Sequence, residues 1–428
     1  MSEAIPPDYL GCLLKSWQGK SAGSLSWLNQ LRAQAIDRVS TQKLPTKRDE
    51  DWRFTDISPL TTLPYRPSQP DVNLRIQDIQ HLFLDEVKNR LVFIDGHFSP
   101  QLSVIANSAL VIGNLPAHTS ILESHLGQYA RFDQNVFTAL NTAFLRDGAV
   151  IVAPRNTAIA DPIHVLFIAT QREVTSYPRC LFVGESGSQA TLIEDYVALQ
   201  EAAYITNAVT EISLAGNARA HHIRIQRESA QAFHFANCAV ALAHASHYQS
   251  VNITRGSRIS RHNLDVRLID EAAECTIDGL TLISDHQLAD THTCIDHIKP
   301  NGTSHQQHKC IADDAAHAVF NGKIIVRPHA QRTNSSQSSR NLLLSKAAQV
   351  DTKPQLEIFA DDVKCAHGAT VGQLDPEEIF YLRSRGLSEK TARNLLTYAF
   401  GAEIINRIPV TSLRQQLAQA VLDQTQNN

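Results

Sequence analysis

No run of 18 or more apolar residues occurs in this 428-residue chain, so no membrane-spanning helix is expected. The N-terminus lacks a basic segment followed by an apolar one, so no secretory signal is expected either, and the chain reads as cytoplasmic. Like charges never gather in long blocks, and the formal net charge is only −4. A nucleic-acid-binding surface therefore has no electrostatic footprint. No Cys-x-x-Cys occurs, and the seven cysteines are irregularly spaced. In a chain without an export signal, they are expected as reduced thiols rather than a disulfide framework. Gly19-Lys20-Ser21 superficially resembles the end of a phosphate-binding loop. Leu14 stands where that motif requires its first Gly, so no nucleotide site is expected.

What is present is ample apolar content, 43% of residues, enough for a large core. Length alone suggests about three domains. Residues 1–148 read as helical with loops. Ser24 is placed to cap a helix carrying Leu28, Leu31 and Ala35 at helical spacing. A proline-rich connector follows, with Pro59, Pro64, Pro67 and Pro70. A short helix is expected over 76–88, a strand over Leu91–Asp95, and helix again over 120–146.

Residues 149–366 have a different character. Short apolar or alternating runs recur, from Ala149–Ala153 through Ile205–Leu214 and Ile259–Leu268 to His317–Val326, then Val350–Thr352 and Leu356–Ala360. No helix of four turns interrupts them. So many strands are too many for one sandwich. A stacked parallel β-solenoid fits better, because each coil buries its inner face on its neighbours. No strict repeat period emerges. Residues 367–428 return to helix. Asp375-Pro376-Glu377-Glu378 forms a capping box. Ser388 opens a second helix with Ala392, Leu395, Leu396, Ala399 and Phe400 on one face, and Thr411 to Leu422 forms a third.

Three sets of residues are candidates for chemistry. Cys365 and His367 lie two positions apart, so on a strand they share a face. They offer two metal ligands, and another group must complete any shell. Gly368 next to them permits a turn or close approach. His292, Cys294, His297, His305, His308, Cys310 and His317 crowd one region. Either the cysteines pack inward as small apolar residues, or bulges bring the set together as ligands. Asp313-Asp314 and Asp361-Asp362 raise a third class, a solenoid polysaccharide-processing enzyme with paired carboxylates. Adjacent residues on a strand point to opposite faces, which argues against such a pair. A metal-binding storage protein is disfavoured because no dense ligand motif occurs.

The run Ala360-Asp-Asp-Val-Lys-Cys-Ala-His-Gly-Ala-Thr-Val-Gly372 resembles the C-terminal signature of the SufB/SufD family of iron–sulfur assembly subunits, its SufD branch in particular. Asp351-Thr-Lys-Pro-Gln-Leu-Glu357, Ile379-Phe-Tyr-Leu-Arg-Ser-Arg-Gly386, Asp49-Glu-Asp-Trp-Arg-Phe-Thr55 and Leu91-Val-Phe-Ile-Asp-Gly-His-Phe-Ser99 agree. The SufB branch typically has Glu after the motif's His, where this chain has Gly368, and a Cys-rich N-terminal segment. Ala366 departs from the Ser of the SufD pattern. The resemblance implies a mainly β fold, a right-handed parallel β-helix flanked by helical regions, divided as 1–148, 149–366 and 367–428. It implies a non-enzymatic scaffold, with no catalytic residue, that pairs with a SufB-like paralogue or with itself. It also implies that a SufC-type ABC ATPase binds the C-terminal helices, where Arg383, Lys390, Arg393 and Leu396 are the candidate contacts. A transient iron–sulfur cluster is expected at the interface near His367 and Cys365, and none is expected to be stably bound by the chain alone.

Overall fold

The computed structural model describes residues 9–17, 25–62, 65–70, 73–106, 110–117 and 119–426. Its centre is a parallel β-solenoid of about eight turns. Strands alternate between two sheets, so each pairs in parallel with the strand two places away in the chain. In one sheet, Ile205–Leu214, Phe233–Leu242, Ile259–Leu268, Leu288–His297, His317–Val326 and Gln349–Ile358 follow one another. In the other, Arg219–Arg227, His247–Thr254, Glu274–Ile283, Thr303–Ala312, Thr333–Leu343 and Val363–Gly372 do so. The register offset varies from 26 residues (Phe233 opposite Ile259) to 32 (His317 opposite Gln349). That drift explains the missing repeat period. Corners turn on residues in the left-handed region, among them Asn217, Ala245, Asp285, Asn301 and Asp314.

The side-chain alternation of a strand decides what fills the lumen. At the N-terminal end it is apolar and aromatic. Phe93, Phe167 and Tyr196 stack along it, with centroids 5.2 and 4.9 Å apart. Solenoid strands begin before residue 149, since Asn89–Ile94 pairs with Ile163–Ala169. They continue past 366, since the last runs to Gly372. The boundary placed after 366 therefore falls inside a strand.

Two strands escape the apolar-run reading. Thr333–Leu343 turns Thr333, Ser335, Gln337, Ser339 and Asn341 inward, all buried, so it carries no apolar stripe there. Gln349–Ile358 is one strand that Pro354 divides on paper. Proline is tolerated in sheets mainly on edge strands, and this strand has a partner on one side only.

The N-terminal region packs helices against the solenoid: α1 (Tyr9–Ser16), α2 (Ser26–Thr41), α3 (Ile76–Ile79), α4 (Thr119–His125) and α5 (Val136–Ala143). The helix expected over 120–146 is thus two, α4 and α5. The one expected over 76–88 shortens to α3 and a 3-10 turn at Gln80–Leu82. The Ser24 cap and Gly19-Lys20-Ser21 lie outside the described residues. Every residue of α5 is buried. Beneath it, Arg179 pairs with Glu211, both side chains fully buried, and also donates to Asn141 and Thr142. Farther along, Trp52 packs on Phe137 and Phe235. Arg261 lies 4.0 Å over Trp52 and 2.6 Å from Asp290. Burial alone would raise the Asp290 carboxyl; Arg261, His292 and Thr55 outweigh it and hold it at about 2.

Three helices end the chain: α6 (Pro376–Ser384), α7 (Glu389–Ile405) and α8 (Thr411–Gln426). Asp375 and Ser388 cap α6 and α7 as expected. α7 meets the solenoid at Gly401, which faces Ile311 and Leu280; a Cβ there would lie in ordinary contact with them, at 3.5 and 3.6 Å. An ionic clamp reinforces it. Lys309 pairs with Glu403 at 2.5 Å, and Arg407 reaches Gln307 at 2.5 Å and Asp278.

Candidate functional site

The two sheets end differently from how they run. Val363–Gly372 pairs only with Thr333–Leu343, and Gln349–Ile358 only with His317–Val326. Both final strands are ten residues long and leave one backbone edge unpaired. Among the described residues no further coil stacks on that edge to cap the lumen. Cys365 and His367 both point to the inner side of their strand, as their spacing requires. Cys365 is half-buried, packed against the main core, and burial raises its thiol above the ordinary range. His367 is exposed. Gly368 makes no turn: it sits within the strand, and a Cβ there would meet nothing within 4 Å. Its role as a turn residue is therefore corrected to that of an open surface position.

Several of the exposed large apolar side chains lie in these C-terminal segments. Phe359 is 58% exposed and Val371 49%, and on α6 Phe380 is 72% and Tyr381 62% exposed. No residue of α6 is buried. Sequence reasoning missed this patch, although the apolar run Ile379-Phe380-Tyr381-Leu382 in a nine-residue helix was a visible signal.

The helix-face expectation for α7 needs correction. Ala392 is buried, but Leu395 is 44% exposed and Ala399 is also exposed. The buried positions are Ala392, Thr397, Gly401, Ile404 and Ile405. The helix is rotated because its partners are α8 and the solenoid wall, not α6 alone. Leu396 is half-buried. Arg383 pairs with Glu389 at 3.2 Å in solvent, and Lys390 is exposed. Arg393 is turned partly inward and donates to the Leu344 carbonyl at 3.3 Å.

The His/Cys-rich region is not brought together. Cys310 and His308 face the lumen, where His308 stacks on Phe320. Cys294 faces outward on the other sheet, beside His292, which pairs with Asp290 at 2.9 Å. Burial pushes both thiols up to about 12. Among the described residues, no group of three or more His, Cys, Asp or Glu side chains is placed to hold a metal. Asp314 and Asp362 serve coil corners: Asp314 accepts from the Asp285 amide, and the Asp362 amide donates to Gln331. Neither forms a carboxylate pair across a cleft. A cleft of about 440 Å³ sits at other corners beside Arg227, Arg255 and Asp285.

Fold and site together define a class: a β-solenoid protein that carries a thiol and an imidazole on an open sheet edge. Comparison with known families makes it specific. Residues 167–400 match the SufBD core domain of SUF-system FeS cluster assembly, and residues 9–165 match the SufBD protein N-terminal region. The chain is 42% identical over 408 residues to an iron–sulfur cluster assembly SufBD family protein of Synechocystis, covering 91% of this chain and 89% of the relative. It is 34% identical to the iron–sulfur cluster assembly protein SufD of Escherichia coli, covering 90% of each. A chloroplastic protein of Arabidopsis thaliana, ABCI7, is 30% identical, over 91% of this chain and 84% of its own length. The chain belongs to the SufB/SufD family of iron–sulfur cluster assembly.

Proposed function

We propose that this chain is a non-enzymatic scaffold subunit that works in the cytoplasm. It pairs through its open solenoid end with a SufB-like paralogue, or with a second copy of itself. A SufC-type ATPase docks on α6 and the exposed face of α7. The observation that carries this reading is the placement of Cys365 and His367 on an unpaired strand edge, with exposed apolar side chains in the same C-terminal segments. Unpaired edges invite strand addition from another chain. A cluster is the cargo here. Cys365 as thiolate and His367 through a ring nitrogen supply two ligands. Iron in such clusters takes about four, mostly thiolates, so a partner has to supply the rest, and the chain alone retains no cluster.

The test is iron and acid-labile sulfide bound by the co-expressed complex, beside its melting temperature. His367→Ala is expected to leave assembly and stability unchanged and to lower cluster yield several-fold. Cys365→Ala is expected to lower it less. Full yield from His367→Ala at unchanged stability would overturn the assignment.

A further inference from the structure

Below the open end, two columns of inward-facing residues run down one sheet. Register places Cys365 over Ser335, Ser304 and Cys275, and His367 over Gln337, Gln306 and Ile277. Successive members lie about 4.8 Å apart. The third layer down, Cys275 and Ile277, is apolar and buried, as a solenoid core should be. The two layers nearest the open end are instead polar, and they are just as buried. Ser335 and Gln337 are 2% and 3% exposed. Burying such groups is costly unless their hydrogen bonds are met; the carboxamide of Gln337 fills the space beside Gly322, but its polar atoms still need partners. The same strand would hold a coil together with aliphatic side chains.

The bonds they make form a chain whose direction is set by the tautomer of His297. His297 Nε2 lies 2.9 Å from Ser304 Oγ, which lies 2.7 Å from Ser335 Oγ. His297 Nδ1 has no partner. If Nε2–H donates to Ser304, the Ser304 hydroxyl donates to Ser335, and the Ser335 proton is left for the atom above it, the sulfur of Cys365. Beside this chain, Gln337 Nε2 donates to the Gly322 carbonyl at 3.2 Å, which holds the carboxamide in place. Its Oε1 is buried and has no partner. An imidazole that binds metal through one ring nitrogen carries a proton on the other and needs an acceptor for it.

From this we infer that Ser335 and Gln337 are positioning residues for the Cys365–His367 pair. Ser335 donates a hydrogen bond to the sulfur of Cys365. Gln337 Oε1 accepts the second ring N–H of His367 and so fixes its tautomer. This rests on the reading of Cys365 and His367 as cargo ligands, but its geometry is testable without cargo.

The discriminating pair is Gln337→Leu against Gln337→Glu. A packing role favours Leu, which suits a buried site, over Glu. A positioning role favours Glu, which keeps the acceptor oxygen. In the co-expressed complex, Gln337→Leu is expected to lower bound iron and labile sulfide about tenfold or more, the usual effect of losing an outer hydrogen-bond partner. Gln337→Glu is expected to retain most of it, even with a lower melting temperature. The reverse order, or yields that follow melting temperature, would overturn the inference. A second measurement separates it from the function reading. In the isolated chain, 15N-histidine spectra identify the His367 signal by its loss in His367→Ala. Gln337→Leu should redistribute its tautomers; an unchanged signal overturns the contact, whatever the cluster assay shows.

Discussion

The two ends of the solenoid obey the same strand rules and are finished in opposite ways. At the N-terminal end, one sheet stops at the four-residue strand Val111–Asn114 and the other at the two-residue strand His97–Phe98, both antiparallel to their neighbours. Short, reversed strands protect an edge from further pairing. Nearby, the wholly buried α5 covers the early coils. At the C-terminal end, two full ten-residue strands stop with no such device, and α6 stands beside them with nothing buried. The asymmetry supports the proposal that the bare edge is the one that meets a partner. The closed end is therefore expected to carry stability and the open end to carry association, and substitutions should separate the two.

The largest stability effect is expected at the closed end. Arg179→Ala leaves Glu211 charged and buried beneath α5. Breaking a buried pair by removing one partner costs about 3–5 kcal/mol. A large fall in melting temperature is the check; a change no greater than that of a surface substitution would show that the pair does not hold this end.

A smaller effect is expected at Asp290, where the N-terminal region meets the solenoid wall. Its carboxyl titrates at about 2 when folded, against an ordinary 3.8. A lowered pKa contributes stability above the unfolded value that is lost as pH falls through the folded one. The contribution, roughly 2 kcal/mol, is thus complete above about pH 5 and disappears between about pH 4 and 2. Asp290→Asn should lower stability at neutral pH and flatten the acid limb of the melting curve over that window. An unaltered acid limb would assign the anchoring to Trp52 packing instead.

Much of the fold was legible in the sequence, though not the contrast between its ends, and what was missed has a physical cause. Apolar alternation revealed most of the strands, because their inner faces are aliphatic; Ile205–Leu214, Ile259–Leu268 and His317–Val326 fall where expected. Thr333–Leu343 was invisible to it because its inner face is polar. That strand lies directly beneath Cys365 and His367, so the apolar signal failed closest to the site. The Cys365–His367 pair was readable from spacing alone. Its exposure was not, because exposure depends on there being no further coil. The α7 face was misjudged because helical periodicity gives a stripe but not the direction in which the partner lies.

At the open end, stability should hardly move. Val371→Lys places a charge on the uncovered strand, and surface changes of this kind stay within about 0.5 kcal/mol. A like charge presented to an incoming strand or apolar surface opposes association. Light scattering should show weaker self-association, and co-purification of a SufB-like paralogue should fall. Unchanged association at unchanged melting temperature would move the interface away from this edge.

The smallest effect on stability is expected at α6. Phe380 and Tyr381 together expose more apolar surface than any other adjacent pair among the described residues, and no residue of their helix is buried. Replacing both with Ser removes little internal packing. It forfeits about 25 cal/mol for each Å² of apolar surface that a partner would have covered. The melting temperature should stay within error of the parent, while capture of a SufC-type ATPase from a co-expression lysate should be lost. Val371→Lys, by contrast, should retain that ATPase while losing the paralogue. The crossed result, with each substitution removing one partner and keeping the other, would divide the open end into two interfaces. If both substitutions remove both partners, the end acts as one surface and docking is cooperative. If Phe380 and Tyr381 can be removed with no loss of the ATPase, α6 is not its docking site, and the exposed face of α7 around Leu395 becomes the place to look.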